Sequence, residues 1–218
     1  MIKLVLFDLD GTLVDAYRAV HQSVNHTITA LGFKARSYDE IKRAVGMGDK
    51  HLLAHFVGQA NKEKAARIYR THHAAALAKK GNVRFLPGAR SLLKYLKKNG
   101  YGLGIVTNRP ERFTGIILEG LDMKGHFDMV LCADRTRCPK PDPGMLHMAL
   151  RRKKLTPAQA LFVGDMDIDI KTGQNAGVRT VAVATGSCSF KELKTLQPYR
   201  IISKIAKIKI TMKELSNE

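Results

Sequence analysis

Short apolar runs alternate with longer segments of helical spacing along most of the chain. KLVLFD opens the series, and from residue 101 onward GLGIVT, DMVLCA, ALFVGD and RTVAVATG recur, separated by RFTGIILEGL, PGMLHMALRRKKL and DIKTGQNAG. Runs of Val, Leu and Ile without polar alternation belong to strands buried on both faces, and the segments between them have the length of crossover helices. The pattern predicts an α/β chain with a Rossmann-like, doubly wound parallel sheet, in which chemistry collects at the carboxyl ends of the strands.

One stretch breaks the alternation. Residues 15–84 are rich in Ala, His and Lys, with helical spacing in AYRAVHQSVNHTITAL and KEKAARIYRTHHAAALAKK, and they have room for three or four helices where a crossover needs one. We read 15–84 as an inserted α-helical cap domain, and 1–14 with 85–218 as the α/β core. Pro87 and Gly88 mark the return to the core before a helix that ends at Gly100. The last fifteen residues are basic and fit strand or helix equally.

Composition narrows the setting. The chain has 218 residues, of which 44% are hydrophobic, sufficient for a sizeable core. No apolar run approaches the ~20 residues of a membrane span, and KLVLF is too short and too soon followed by Asp8 for a secretory signal. Three cysteines, Cys132, Cys138 and Cys188, form neither an even set nor a CxxC pair, so reduced thiols and a cytoplasmic location are expected. The formal net charge of +18 is dispersed over several segments, fitting either solvated helix faces or attraction of acidic partners.

Against this excess of cations, FDLDGTLVD at residues 7–15 concentrates three aspartates. Clustered carboxylates repel unless a cation or hydrogen bonds hold them, so a metal or a chemical task is indicated. The other strand ends carry polar groups as well. Thr107 and Asn108 follow the second run; Lys140 sits between Pro139 and Pro141 after the third; GDMDID supplies Asp165 and Asp169 after the fourth. Singly, Asp15, Asp142 and Asp167 read as helix caps or turn residues. Together, the remaining carboxylates, donors and lysine are the parts needed to transfer a phosphoryl group through an aspartyl-phosphate with one Mg²⁺, because a carboxylate attacking an anionic phosphorus needs cations beside it.

The combination DLDGT, TN, KPDP and GDMDID, with IVTNRP and NAGVRTVAVATG around it, resembles the haloacid dehalogenase superfamily, in its phosphoglycolate phosphatase-like branch with a helical cap. The resemblance implies Asp8 as nucleophile and Asp10 as the acid that protonates the leaving oxygen and then activates water. Thr107 and Lys140 would hold the phosphoryl group, with Gly11 and Asn108 helping through backbone donors. Mg²⁺ would be held by Asp8, Asp165 and the backbone carbonyl of Asp10, with Asp169 behind them. Asp10 disfavours carbon–halogen and phosphonate chemistry, whose family members lack an acid there. Arg109 stands where relatives often have Lys.

In the insertion, RAVGMGDKHLL is the candidate substrate-facing segment, with Arg43 and Lys50 placed to meet a carboxylate or second phosphate. His51 and His55 have metal-binding spacing but no third ligand, and carry no metal expectation. The expected partner is a small phosphorylated acidic metabolite such as phosphoglycolate, with pyrophosphate or a nucleotide as further candidates, handled by a monomer or homodimer. A sugar-phosphate mutase shares the same core residues. A nucleic-acid-end phosphatase is the alternative suggested by charge, disfavoured by 6% aromatic content and no Trp.

Overall fold

The computed structural model describes residues 1–216. Along them run β1 (Leu4–Phe7), β2 (Val14–Asp15), α1 (Tyr17–Thr29), α2 (Tyr38–Ala44), α3 (Asp49–Ala78), β3 (Arg84–Phe85), α4 (Ala89–Lys98), β4 (Gly102–Thr107), α5 (Glu111–Gly120), β5 (Met129–Cys132), α6 (Ala133–Thr136), α7 (Gly144–Lys153), β6 (Ala160–Gly164), α8 (Asp167–Ala176), β7 (Arg179–Val183), α9 (Phe190–Thr195), β8 (Arg200–Ile202) and α10 (Ile208–Ser216). The sheet is ordered β5-β4-β1-β6-β7-β8, and every neighbouring pair is parallel. This is the expected Rossmann-like α/β architecture.

The apolar runs are explained by two-sided burial. Along β1, Val5 and Phe7 pack into a core with Ile105, Val163, Leu92 and Phe113. Leu4 and Leu6 face the opposite core with Phe162, Leu146 and Leu150. A strand covered on both faces needs an apolar side chain at every position, which erases the alternation of a half-exposed strand. In α4 one stripe, Leu92, Leu93 and Leu96, is buried while Lys94, Lys97 and Lys98 stay in solvent.

β1 is central, and the chain crosses to β4 on one side and β6 on the other. The register sets Phe7 opposite both Ile105 and Val163. Residues just beyond these ends therefore open into one crevice, where the direction of winding reverses.

The chain between β2 and β3 is helical. α1 packs along α3, burying Val20, Val24 and Ile28 against Leu53, Ala65 and Tyr69. α3 is broken at Gly58, whose φ of 75° and ψ of 165° interrupt the hydrogen-bond ladder, so α1, α2 and the two halves of α3 make four helical pieces. The insertion leaves and re-enters the core through the antiparallel β2–β3 ribbon, pairing Val14 with Phe85 and Asp15 with Arg84. The guanidinium of Arg84 also donates to Asp15 at 2.9 Å.

Two parts were not anticipated in form. The last fifteen residues resolve as helix, a 3-10 turn at Ile205–Lys207 running into α10; strand β8 ends just before them, and residues 217–218 lie outside the described residues. α9 is a short helix opened by a capping box in which Ser189 accepts from the backbone of Glu192 and the Glu192 carboxylate accepts from the backbone of Ser189. No helix among the described residues is long and apolar enough to cross a membrane.

Candidate active site

The crevice at the carboxyl ends of β1, β4 and β6 collects the acids and donors. Lys140, buried on the loop before α7, reaches across it: its Nζ donates to Asp8 Oδ1 and Asp169 Oδ1 at 2.6 Å each. Burial alone would lower the Lys140 pKa, but Asp169 and Asp8 hold it above the usual lysine range. Burial drives the Asp8 carboxyl the other way from an ordinary aspartate, up to about 7, against the opposing pull of Lys140. Asn108 fixes the lysine's loop, accepting from the Lys140 backbone N–H at 2.7 Å and donating to its carbonyl at 3.0 Å. Thr107, buried at the end of β4, lines the same cleft.

Asp10 is held differently. Arg109 grips its carboxylate at two points, Nε to Oδ2 at 2.7 Å and Nη2 to Oδ1 at 2.9 Å. The third guanidinium contact runs to the insertion, Nη1 to His73 Nε2 at 2.8 Å. An arginine only donates, so His73 Nε2 accepts, and its Nδ1–H donates to Ser23 Oγ at 3.0 Å. Ser23 passes its own hydrogen to the Ala19 carbonyl at 2.8 Å. Burial and the adjacent Arg109 push the His73 pKa down to about 2. The chain Ala19, Ser23, His73, Arg109, Asp10 thus ties α1 and α3 of the insertion to the second carboxylate of the DLDGT segment.

The residues present fit a hard divalent cation. Carboxylate oxygens of Asp8, Asp165 and Asp169 lie within 4.8 Å of one another, all buried. Asp165 Oδ1 accepts from Thr12 at 2.8 Å, whereas Asp165 Oδ2 is buried with no hydrogen-bond partner among the described residues. Burial, Asp8 and Asp169 raise the Asp165 pKa well above the usual aspartate range, outweighing the opposing pulls of the Thr12 hydrogen bond and Lys140. A Cβ at Gly186 would overlap this free oxygen, so that glycine lets the backbone close over the cluster. Asp169 has both oxygens engaged, one by Lys140 and the other by the backbone N–H groups of Asp165 and Met166 at 3.1 and 3.0 Å.

Asp8, Asp10, Thr107, Asn108, Lys140, Asp165 and Asp169 are therefore brought together. Gly11 is there too, but its N–H is spent on the Val14 carbonyl at 2.8 Å, and it permits close approach instead: a Cβ would sit 2.5 Å from Asp165 Oδ2. The Arg43 and Lys50 side chains stand apart, 68% and 62% exposed, paired with Glu192 and Glu63 at 3.6 and 2.9 Å. Sequence reasoning missed Thr12, Tyr69 and His73, and noted Arg109 only as a departure. The i, i+4 spacing of Tyr69 and His73, which stack at 4.5 Å, was the available signal.

The haloacid dehalogenase-like hydrolase family model matches residues 5–183. The chain belongs to this family. Among proteins similar to this haloacid dehalogenase-like hydrolase is a phosphoglycolate phosphatase of Pseudomonas fluorescens Pf-5, 31% identical over 84% of this chain and 70% of that one. Its counterpart in P. fluorescens Pf0-1 is 27% identical over 94% and 78%. A crystal structure of a predicted phosphoglycolate phosphatase from Haemophilus somnus 129PT superposes with a TM-score of 0.89 at 26% identity, covering 96% of this chain and 98% of that one. These similarities place the haloacid dehalogenase-like hydrolase among the phosphatases of its family, an enzyme and not a binding module.

Proposed function

We propose that the protein is a Mg²⁺-dependent phosphomonoesterase for a small phosphorylated metabolite, working through an aspartyl-phosphate. The observation that carries this reading is the unequal treatment of the two carboxylates at the end of β1: Asp8 lies against a buried lysine, Asp10 against a two-point arginine. Two like groups in different environments suit different tasks.

In this reading Asp8 attacks phosphorus. The bond to the ester oxygen breaks, and Asp10, protonated after yielding one of its two Arg109 contacts, delivers the proton that oxygen needs to leave as an alcohol. Lys140 and the Thr107 hydroxyl hold the phosphoryl oxygens, and the same lysine offsets the charge of Asp8 during attack. Asp10, now without its proton, takes one from water as that water attacks the phosphoenzyme, releasing phosphate and restoring Asp8. Mg²⁺, held by Asp8, Asp165 and the Asp10 backbone carbonyl, would supply further charge neutralisation at the transferring group. Asp169 orients Lys140 and the Asp165–Met166 backbone. The names of the relatives support phosphoglycolate as the first compound to try.

The test is phosphate release from phosphoglycolate, other small phosphate esters, pyrophosphate and end-phosphorylated oligonucleotides, with and without Mg²⁺. Asp8→Asn is expected to keep the fold and lose at least about 10³-fold in turnover, since it removes the nucleophile at constant size. Undiminished Mg²⁺-dependent release by Asp8→Asn would overturn the aspartyl-phosphate route. Net release, and not return of phosphate to the substrate, separates hydrolysis from a mutase.

A further inference from the structure

The cleft contains a buried hydroxyl that none of the steps above uses. Tyr69, on the second half of α3, is buried to 1% exposure, and its hydroxyl has no hydrogen-bond partner among the described residues. The ring is fixed from two sides, stacked on His73 at 4.5 Å and met edge-on by Phe113 at 6.2 Å. Tyr69 lines the cleft together with Asp8, Asp10 and Lys140, and Asp49, Arg109 and Asp10 are its charged neighbours. An unpaired buried hydroxyl is costly and calls for an absent partner.

The other side-chain donors of the cleft are held by protein acceptors, apart from the Thr107 hydroxyl assigned above to the phosphoryl group. Lys140 is shared by Asp8 and Asp169, and Arg109 by Asp10 and His73. Asn108 donates to the carbonyls of Gly46 and Lys140. Burial raises the Tyr69 pKa well above that of a free phenol, so the hydroxyl remains a donor at every physiological pH.

We propose that Tyr69 reads the part of the substrate that is not transferred, its hydroxyl donating to an oxygen carried by the leaving group. The assignment rests on the phosphomonoesterase reading and adds a substrate class: esters whose alcohol portion bears a second oxygen, as a carboxylate or a hydroxyl. Asp49 refines the choice. It lines the same cleft and accepts no side-chain hydrogen bond from the described residues, so a hydroxyl meets a donor and an acceptor, whereas a carboxylate meets only the donor.

The experiment compares Asp8→Asn with Asp8→Asn/Tyr69→Phe, both with Mg²⁺, by calorimetric titration with 2-phosphoglycolate, glycerol phosphate and ethyl phosphate. Position 8 keeps a ligating oxygen but has no nucleophile, so binding is read without turnover. Tyr69→Phe is expected to weaken the first, the second or both by about 10-fold while leaving ethyl phosphate unchanged. The ligand that weakens identifies the carboxylate or the hydroxyl. Equal affinities in both proteins overturn the proposal, as does a matching loss for ethyl phosphate, which would mark Tyr69 as structural. If no ester binds in either protein, the phosphomonoesterase reading falls and takes this one with it; if esters bind regardless of Tyr69, only this one falls.

Discussion

His73 is a histidine that its surroundings forbid to titrate. Arg109 occupies its acceptor nitrogen, and the site is fully buried. Its folded pKa of about 2 lies below the ordinary histidine value of 6.5, so its contribution to stability is present above pH 6.5 and is lost as pH falls, because the unfolded chain takes up a proton that the native state refuses. Replacing it with Gln keeps an acceptor for Arg109 without the titration. Between pH 7.5 and 5.0 the wild type should lose about 2 kcal/mol more than His73→Gln in urea unfolding. Parallel profiles would show that His73 does charge in place. The arginine it supports also shows why Arg109 is no simple exchange for lysine: only a planar fork holds Asp10 at two points with a third donor left for His73.

Secondary elements differ in how far the chain announces them. Five of the six sheet strands were legible because burial on both faces leaves uninterrupted apolar runs, while the three-residue β8 was not read; DLDGT, Thr107 and Asp165 stand directly after such runs, and Lys140, eight residues past β5, was marked by its flanking prolines. The β2–β3 ribbon, two residues on each side, is too short to carry a period. His73 and Tyr69 were hidden for another reason: their meaning lies in contacts with Arg109 and the cleft, dozens of residues away, while within α3 they look like ordinary buried positions. The break at Gly58 was equally silent. A Cβ there meets nothing within 4 Å, so Gly58→Ala introduces no clash, only a side chain at a φ of 75° and ψ of 165° that favours glycine. Denaturant unfolding of Gly58→Ala should show a loss of about 1–3 kcal/mol; an unchanged midpoint would mean that the helix re-forms without the break.

Across the whole molecule, the charge contrast is the leading feature: a net charge of +18 encloses a buried acid cluster. Burial pushes the Asp8 carboxyl up to about 7 in the folded chain, above the ordinary aspartate value of 3.8. Its contribution to stability is therefore fully present below pH 3.8 and is lost as pH rises through about 7. A divalent cation competes with that proton and replaces it most readily once the carboxylate is bare. Mg²⁺ should therefore raise the melting temperature more at pH 8 than at pH 5.5, measured as the shift on adding the metal at each pH. Equal shifts would place Mg²⁺ away from Asp8.

The ribbon that carries the insertion has a consequence of another kind. Because β2 and β3 are hydrogen-bonded neighbours, the two ends of the insertion meet side by side, and the entropy of closing so long a loop grows only with the logarithm of its length. The core thus offers a graft point. Exchanging the helical insert would leave the sheet register and the place of Asp8 at the end of β1 unchanged, but would remove the His73 acceptor that supports Arg109 beside Asp10.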